Sequence, residues 1–197
     1  MSTPSAVIVK TEIRWNPARG PVAMYCLIGA ETAIFAIFVV AYIFYIGKSL
    51  TGPQPHDVLQ LPVFATICLL ASSLTIHVAV MLLRAGRVFS FGLSWFLTVL
   101  LGAAFLAATL REWRHLIYGD GLTIQTNLFG TTYYSLVGLH AFHVTVGLLA
   151  LVTVLALTFR GNVRIRHAER AAVLSMYWHF VDVVWVVEFV VVYVIGR

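Results

Sequence analysis

The chain has 197 residues, of which 60% are hydrophobic and only 11% are Asp, Glu, Lys or Arg, whereas a soluble domain carries about 25% charged residues. So few charges cannot cover a water-facing surface, which excludes an ordinary soluble fold and indicates an integral membrane protein. The formal net charge of +5 comes from basic residues in short loops between apolar runs, so membrane orientation accounts for it better than nucleic acid does.

Residues 1–20 are polar and contain Pro4 and Pro17. They lack a short apolar core ahead of a small-residue cleavage site, so they read as a cytoplasmic tail and not as a signal peptide. A helix needs about 20 apolar residues to cross a bilayer, and five runs qualify: about Pro21–Gly47, Leu61–Leu83, Leu93–Leu110, Gly130–Phe159 and Ala171–Ile195. Pro21 and Pro62 stand near helix starts, where a missing N–H costs little. Thr51-Gly52-Pro53-Gln54-Pro55 cannot continue a helix and marks the first loop; Gly119-Asp120-Gly121 marks the third. The runs are continuously apolar, which excludes the alternating strands of a β-barrel. Cys26 and Cys68 both fall in apolar runs, read as buried, and form neither a disulfide framework nor a metal motif.

Lys and Arg set the orientation. Lys10, Arg14, Arg19, Arg84, Arg87, Arg160, Arg164, Arg166 and Arg170 fall on one side, against Lys48, Arg111, Arg114 and Arg197 on the other. The expected fold is therefore an all-α, polytopic bundle of five transmembrane helices over residues 21–197. Its N-terminus is cytoplasmic and its C-terminus outside.

Ionisable residues inside such spans are costly and usually pair within the bundle or with another subunit. Glu31 lies in the first span with no basic neighbour on its helix. It reads equally as a proton-active or lipid-contacting carboxyl and as an acid bonded between helices. His140 and His143 are three apart and share a helix face. Haem ligation with His179 is open by spacing, but imidazoles bonded to helix carbonyls or a carboxylate are the simpler reading. His179 and Asp182 are also three apart, close enough for the acid to fix the imidazole tautomer. Glu188 lies on the opposite face of that helix and must meet a partner subunit or another helix of this chain. His77 reads as a packing residue, and Glu112, beside Arg111 and Arg114, as a surface ion pair. No glycine-rich phosphate loop, CxxC, HExxH or GxSxG appears.

These residues carry a family resemblance. Tyr177-Trp178-His179-Phe180-Val181-Asp182-Val183-Val184-Trp185 resembles the last-helix signature of subunit III of haem-copper terminal oxidases, above all cytochrome c oxidase. Gly138-Leu139-His140-Ala141-Phe142-His143-Val144, followed by Gly147, resembles the family's GxHxxHV segment. Phe129-Gly130-Thr131-Thr132 resembles the entry to that helix, and Leu69-Leu70-Ala71-Ser72-Ser73 an LLASS-like stretch of an earlier one. Glu31 and Glu112 fall where the family carries acids. The match runs from about Val22 to Gly196, and five spans resemble the shorter bacterial form. Val80 and Met81 stand where mitochondrial members have consecutive His, a Glu ahead of the YWHF motif is absent, and Glu188 replaces an apolar residue.

The resemblance implies an accessory subunit of a proton-pumping oxidase in a bacterial plasma membrane, with no catalytic and no metal site of its own. Haems and copper belong to partner subunits I and II. Structural phospholipid is implied, proton uptake is supported, and a supercomplex is compatible; no nucleic acid is involved. Glu31, His140 and His143 become the implied lipid-binding or proton-related residues. Glu112, Tyr177, Trp178, His179 and Asp182 become a structural polar network. A quinol oxidase or nitric oxide reductase subunit, and a haem-carrying membrane anchor, stand as alternatives.

Overall fold

Glycine turns set two of the helix ends. Gly86 and Gly161 have φ of 76° and 71°, a left-handed conformation that costs glycine no Cβ clash. In each turn the amide after the glycine reaches five residues back: Arg87 N–H bonds Leu82 O at 2.9 Å and Asn162 N–H bonds Leu157 O at 3.0 Å. The same device thus closes two hairpins at the same end of the molecule. The computed structural model describes residues 19–49 and 51–197. The expected tail therefore lies almost wholly outside the described residues, Lys10 and Arg14 included.

The long helices are α1 (Arg19–Tyr45), α3 (Val63–Arg84), α4 (Val88–Tyr118), α5 (Leu128–Phe159) and α6 (Ala168–Glu188). A short α2 (Pro55–Val58) follows the first loop, with Pro55 opening it. Past Glu188 the last helix widens over Phe189–Ile195, where Gly196 N–H reaches Val191 O, 3.0 Å away and five residues back. All five long helices are apolar and long enough to cross a membrane. They match the expected spans except in length. The third span, expected over Leu93–Leu110, runs as α4 from Val88 to Tyr118. Its 31 residues rise about 46 Å, well beyond the roughly 30 Å hydrocarbon layer. Hydropathy ends at Arg111, but the backbone stays helical to the Gly119 turn.

α5 and α6 pack on each other at the centre. α1 lies against both, α3 against α4 and α6, and α4 against α3 and α5. Only Phe35 and Tyr42 of α1 are buried, so α1 is peripheral. Three tryptophans fill the interior, each with its indole N–H bonded. Trp95 donates to Leu151 O at 2.9 Å, Trp178 to Ser72 Oγ at 2.8 Å and Trp185 to Thr66 Oγ1 at 3.1 Å. Room for Trp178 comes from Gly102 on α4 and Gly147 on α5, where a Cβ would stand 2.9 Å and 3.0 Å from its ring. Cys68 is buried as expected, whereas Cys26 is exposed because α1 turns most of its surface outward.

Asn127 caps α5. Its Oδ1 accepts from Gly130 N–H at 2.8 Å, while its Nδ2 donates to Thr51 O at 3.1 Å and Pro53 O at 3.0 Å. One side chain therefore ties a helix start to the distant first loop. Asn127→Ala removes all three bonds. It is expected to cost about 1–2 kcal/mol, read as a lower thermal unfolding midpoint in detergent.

Candidate functional site

The α1–α5 seam holds a carboxyl–imidazole pair. His143 Nδ1 lies 2.8 Å from Leu139 O, one helical turn earlier, and Nε2 lies 3.1 Å from Glu31 Oε2. A carbonyl only accepts, so Nδ1 carries a hydrogen. Nε2 and Glu31 then share one proton: either the acid donates to a neutral ring, or a charged ring donates to the carboxylate. Glu31 thus finds on α5 the partner its own helix lacks. The pair is mostly enclosed, with the carboxyl side chain 21% exposed and the imidazole 9%. Tyr177 of α6 braces the same turn of α5, its hydroxyl donating to His143 O at 3.2 Å.

The α3–α6 seam carries a second polar group. Ser175 Oγ lies 3.2 Å from His179 Nε2, and His179 Nδ1 lies 2.8 Å from Ser73 Oγ, which donates to Asp182 Oδ2. One assignment gives every bond in that series a donor and an acceptor: Ser175 donates to Nε2, Nδ1–H donates to Ser73, and Ser73 donates to Asp182 Oδ2, while Asp182 Oδ1 has no partner among the described residues. His179 and Asp182 are therefore joined through Ser73 and not directly, a correction to the pairing expected from their spacing. Ser72, the neighbour of Ser73, takes the Trp178 indole, so the LLASS stretch anchors α6 at two points.

Glu112 makes no ion pair with Arg111 or Arg114. Its Oε1 accepts from Tyr193 Oη at 3.1 Å and Tyr133 Oη at 3.4 Å, and the two hydroxyls lie 3.3 Å apart. The reason is rotational: Arg111 and Arg114 are exposed, whereas Glu112 turns partly inward toward α5 and α6. The expected surface ion pair is thus a knot across three helices.

His140 does not join His143. It is fully buried beside Phe105 and Trp185, with ring centroids 5.7 Å and 5.2 Å away, and neither ring nitrogen has a hydrogen-bond partner among the described residues. The expected bond to a carbonyl or carboxylate is made by His143 alone. Glu188 is also fully buried and its carboxyl has no partner among the described residues. It faces the interior of this chain and neither lipid nor another subunit. His77, expected to pack inside, is exposed, its ring 6.5 Å from that of His179. Tyr133 and Tyr193 were not singled out from sequence, and Ser73 only as part of the LLASS stretch, with no role of its own.

A haem between His179 and either His140 or His143 does not fit this arrangement. Both ring nitrogens of His143 and of His179 are engaged by protein groups, on different seams of the bundle, and His140 is fully enclosed beside Phe105 and Trp185. Among the described residues, no three His, Cys, Asp or Glu side chains gather as a metal site requires.

The family model described as "Cytochrome c oxidase subunit III" matches residues 24–197. This chain belongs to the cytochrome c oxidase subunit III family. It is 36% identical over 174 residues to cytochrome c oxidase subunit 3 of Bacillus sp. (strain PS3), covering 87% of this chain and 84% of that one. With the Bacillus subtilis (strain 168) protein of the same name it shares 34% over 177 residues, at 87% and 84% coverage. With the cytochrome bo(3) ubiquinol oxidase subunit 3 of Pseudomonas aeruginosa it shares 32% over 169 residues, at 84% and 80%. The expected family is thereby established. The chain is a multi-pass subunit of a haem-copper terminal oxidase of the respiratory chain, and such a subunit III works beside partner oxidase subunits. No catalytic centre is evident among the described residues.

Proposed function

We propose that this chain is the non-redox accessory subunit of a proton-pumping oxidase that takes electrons from cytochrome c. In this reading it steadies the catalytic subunit in a bacterial plasma membrane, with its N-terminus cytoplasmic, as the basic-residue bias supports. The single observation that carries the reading is the Glu31–His143 pair. A carboxyl and an imidazole that share one proton stand roughly midway along α1, at a partly open seam. A phospholipid seated there keeps water and stray protons from the pair, and the pair holds a proton near the partner's uptake route. The ubiquinol oxidase relative supports a second reading, in which quinol is the donor; it leaves the role of this chain unchanged.

The test is the purified oxidase with and without this chain. Loss of the chain is expected to shorten the catalytic lifetime under continuous turnover and to lower protons pumped per electron. A depleted complex that pumps and survives as well as the intact one overturns the reading. Within it, Asp182→Asn acts on assembly: the subunit is recovered at a lower ratio to the catalytic chain, while oxygen reduction per remaining complex is unchanged. Full recovery with lost oxygen reduction would contradict that.

A further inference from the structure

We infer that the groove between the start of α3 and the end of α4 seats one phosphatidylethanolamine molecule, its phosphate on Arg111 and its ammonium on Glu112. This is a different site from the α1–α5 seam, since α1 packs on α5 and α6. It requires only that the chain spans a membrane, and not the oxidase role. The groove has a volume of about 730 Å³, within the roughly 300–1,000 Å³ of small-ligand sites. Gln60, Pro62 and Phe64 line one side. Two adjacent rows of α4 line the other, Ala104, Ala108 and Glu112 in one and Ala107, Arg111 and His115 in the next.

The outward stripe of α4 presents Leu93, Leu97 and Leu100 earlier in the helix. At this end the same stripe continues as Ala104, Ala107 and Arg111. The smaller side chains open the groove. Ala104 lies about 10 Å deeper in the bilayer than Arg111, so the alanine floor sits among acyl chains while the charged rim reaches the headgroup layer. A ligand for the whole groove needs the same gradient, apolar tails and a polar head, as a phospholipid has. The rim selects the head. Arg111 is exposed and forms no ion pair among the described residues, and a guanidinium suits a phosphate. Glu112 Oε1 is held by two tyrosines, but Oε2 makes no hydrogen bond to the described residues and is not enclosed. His115 Nε2 stands 4.0 Å from Asp120 Oδ2, beyond hydrogen-bond reach, so its ring is also available to a phosphate. A cation and an acceptor one residue apart match a head that has both a phosphate and a primary ammonium. Phosphatidylglycerol brings no cation for the carboxyl, and the choline ammonium has no N–H to donate to it.

The experiment uses the full chain, with the subunits it purifies with, in phosphatidylcholine nanodiscs containing a trace of phosphatidylethanolamine with a photo-reactive acyl chain. Peptide mapping is expected to find the label on residues 58–65 and 104–116. Unlabelled phosphatidylethanolamine should compete it away, and phosphatidylglycerol or further phosphatidylcholine should not. Arg111→Gln is expected to lower this labelling about threefold, the size of one exposed ion pair. Glu112→Gln keeps an acceptor for the tyrosines and is expected to abolish the preference for the ethanolamine head over choline. Ala107→Leu restores a large residue to the outward stripe and is expected to lower the labelling whatever the head. Arg111 and Ala107 are both exposed, so those two variants test the site without disturbing the core. Equal competition by phosphatidylcholine or phosphatidylglycerol overturns the choice of head. Labelling of these segments that survives both Arg111→Gln and Ala107→Leu, or that is absent from the wild-type chain, overturns the site.

Discussion

Trp178→Ala is expected to destabilise the isolated subunit by about 3–5 kcal/mol. The indole is fully buried and belongs to α6, yet its surroundings come from three other helices. Gly102 of α4 and Gly147 of α5 leave the slot for it, and Ser72 of α3 accepts its N–H. In a bilayer, lipid tails are as apolar as a leucine, so the loss comes from missing van der Waals contacts and an unfilled slot more than from exposure to water. Filling the slot from the other side should also destabilise. Gly147→Leu drives a side chain into the ring, at about 1–3 kcal/mol. The double variant should lose less than the sum of the two, because the leucine takes up part of the space the indole leaves. Thermal unfolding of the purified subunit in detergent measures all three; strict additivity would mean that the two residues do not share the slot.

Glu112→Leu is the second large effect, expected at about 2–3 kcal/mol. Tyr133 and Tyr193 are almost completely buried, and both hydroxyls are bonded to the carboxyl. Removing it leaves two buried hydroxyls with only each other, 3.3 Å apart. Tyr133→Phe and Tyr193→Phe remove a donor instead and leave an acceptor with one partner still present, so each should cost less. The additional change of both tyrosines to Phe should recover part of the Glu112→Leu loss. If Glu112→Leu unfolds at the wild-type temperature, the knot contributes nothing to stability.

The five spans were legible because hydropathy along the chain is measured against the solvent that decides the fold. The same measure misjudged α4. It reports where hydrocarbon ends, and the helix runs on through Arg111, Glu112 and Arg114 into the headgroup layer. Pairings within one helix were judged from sequence neighbours, which misled at Glu112 and at the His179–Asp182 step. In both cases the decisive partner comes from another helix, Tyr193 and Ser73 respectively. The packing role of Gly102 and Gly147 was not legible for the same reason, since the ring that needs them is on α6. The family motifs did mark the right helices. The GLHAFH and YWHFVDVVW segments hold the α5–α1 contact and the α6–α3 chain of hydrogen bonds, although the sequence could not say which atom meets which.

The outlying position of α1 bears on biogenesis. Its neighbours are α5 and α6, the last two long helices to be synthesised. Glu31 and His143 are 112 residues apart, so at about 5–20 residues per second the acid emerges from the ribosome roughly 5–20 s before its imidazole exists. Throughout that interval α1 has no mate in its own chain, and the insertion machinery or surrounding lipid must shelter it. Its final docking is therefore a late event of membrane assembly, completed after the C-terminal hairpin has entered.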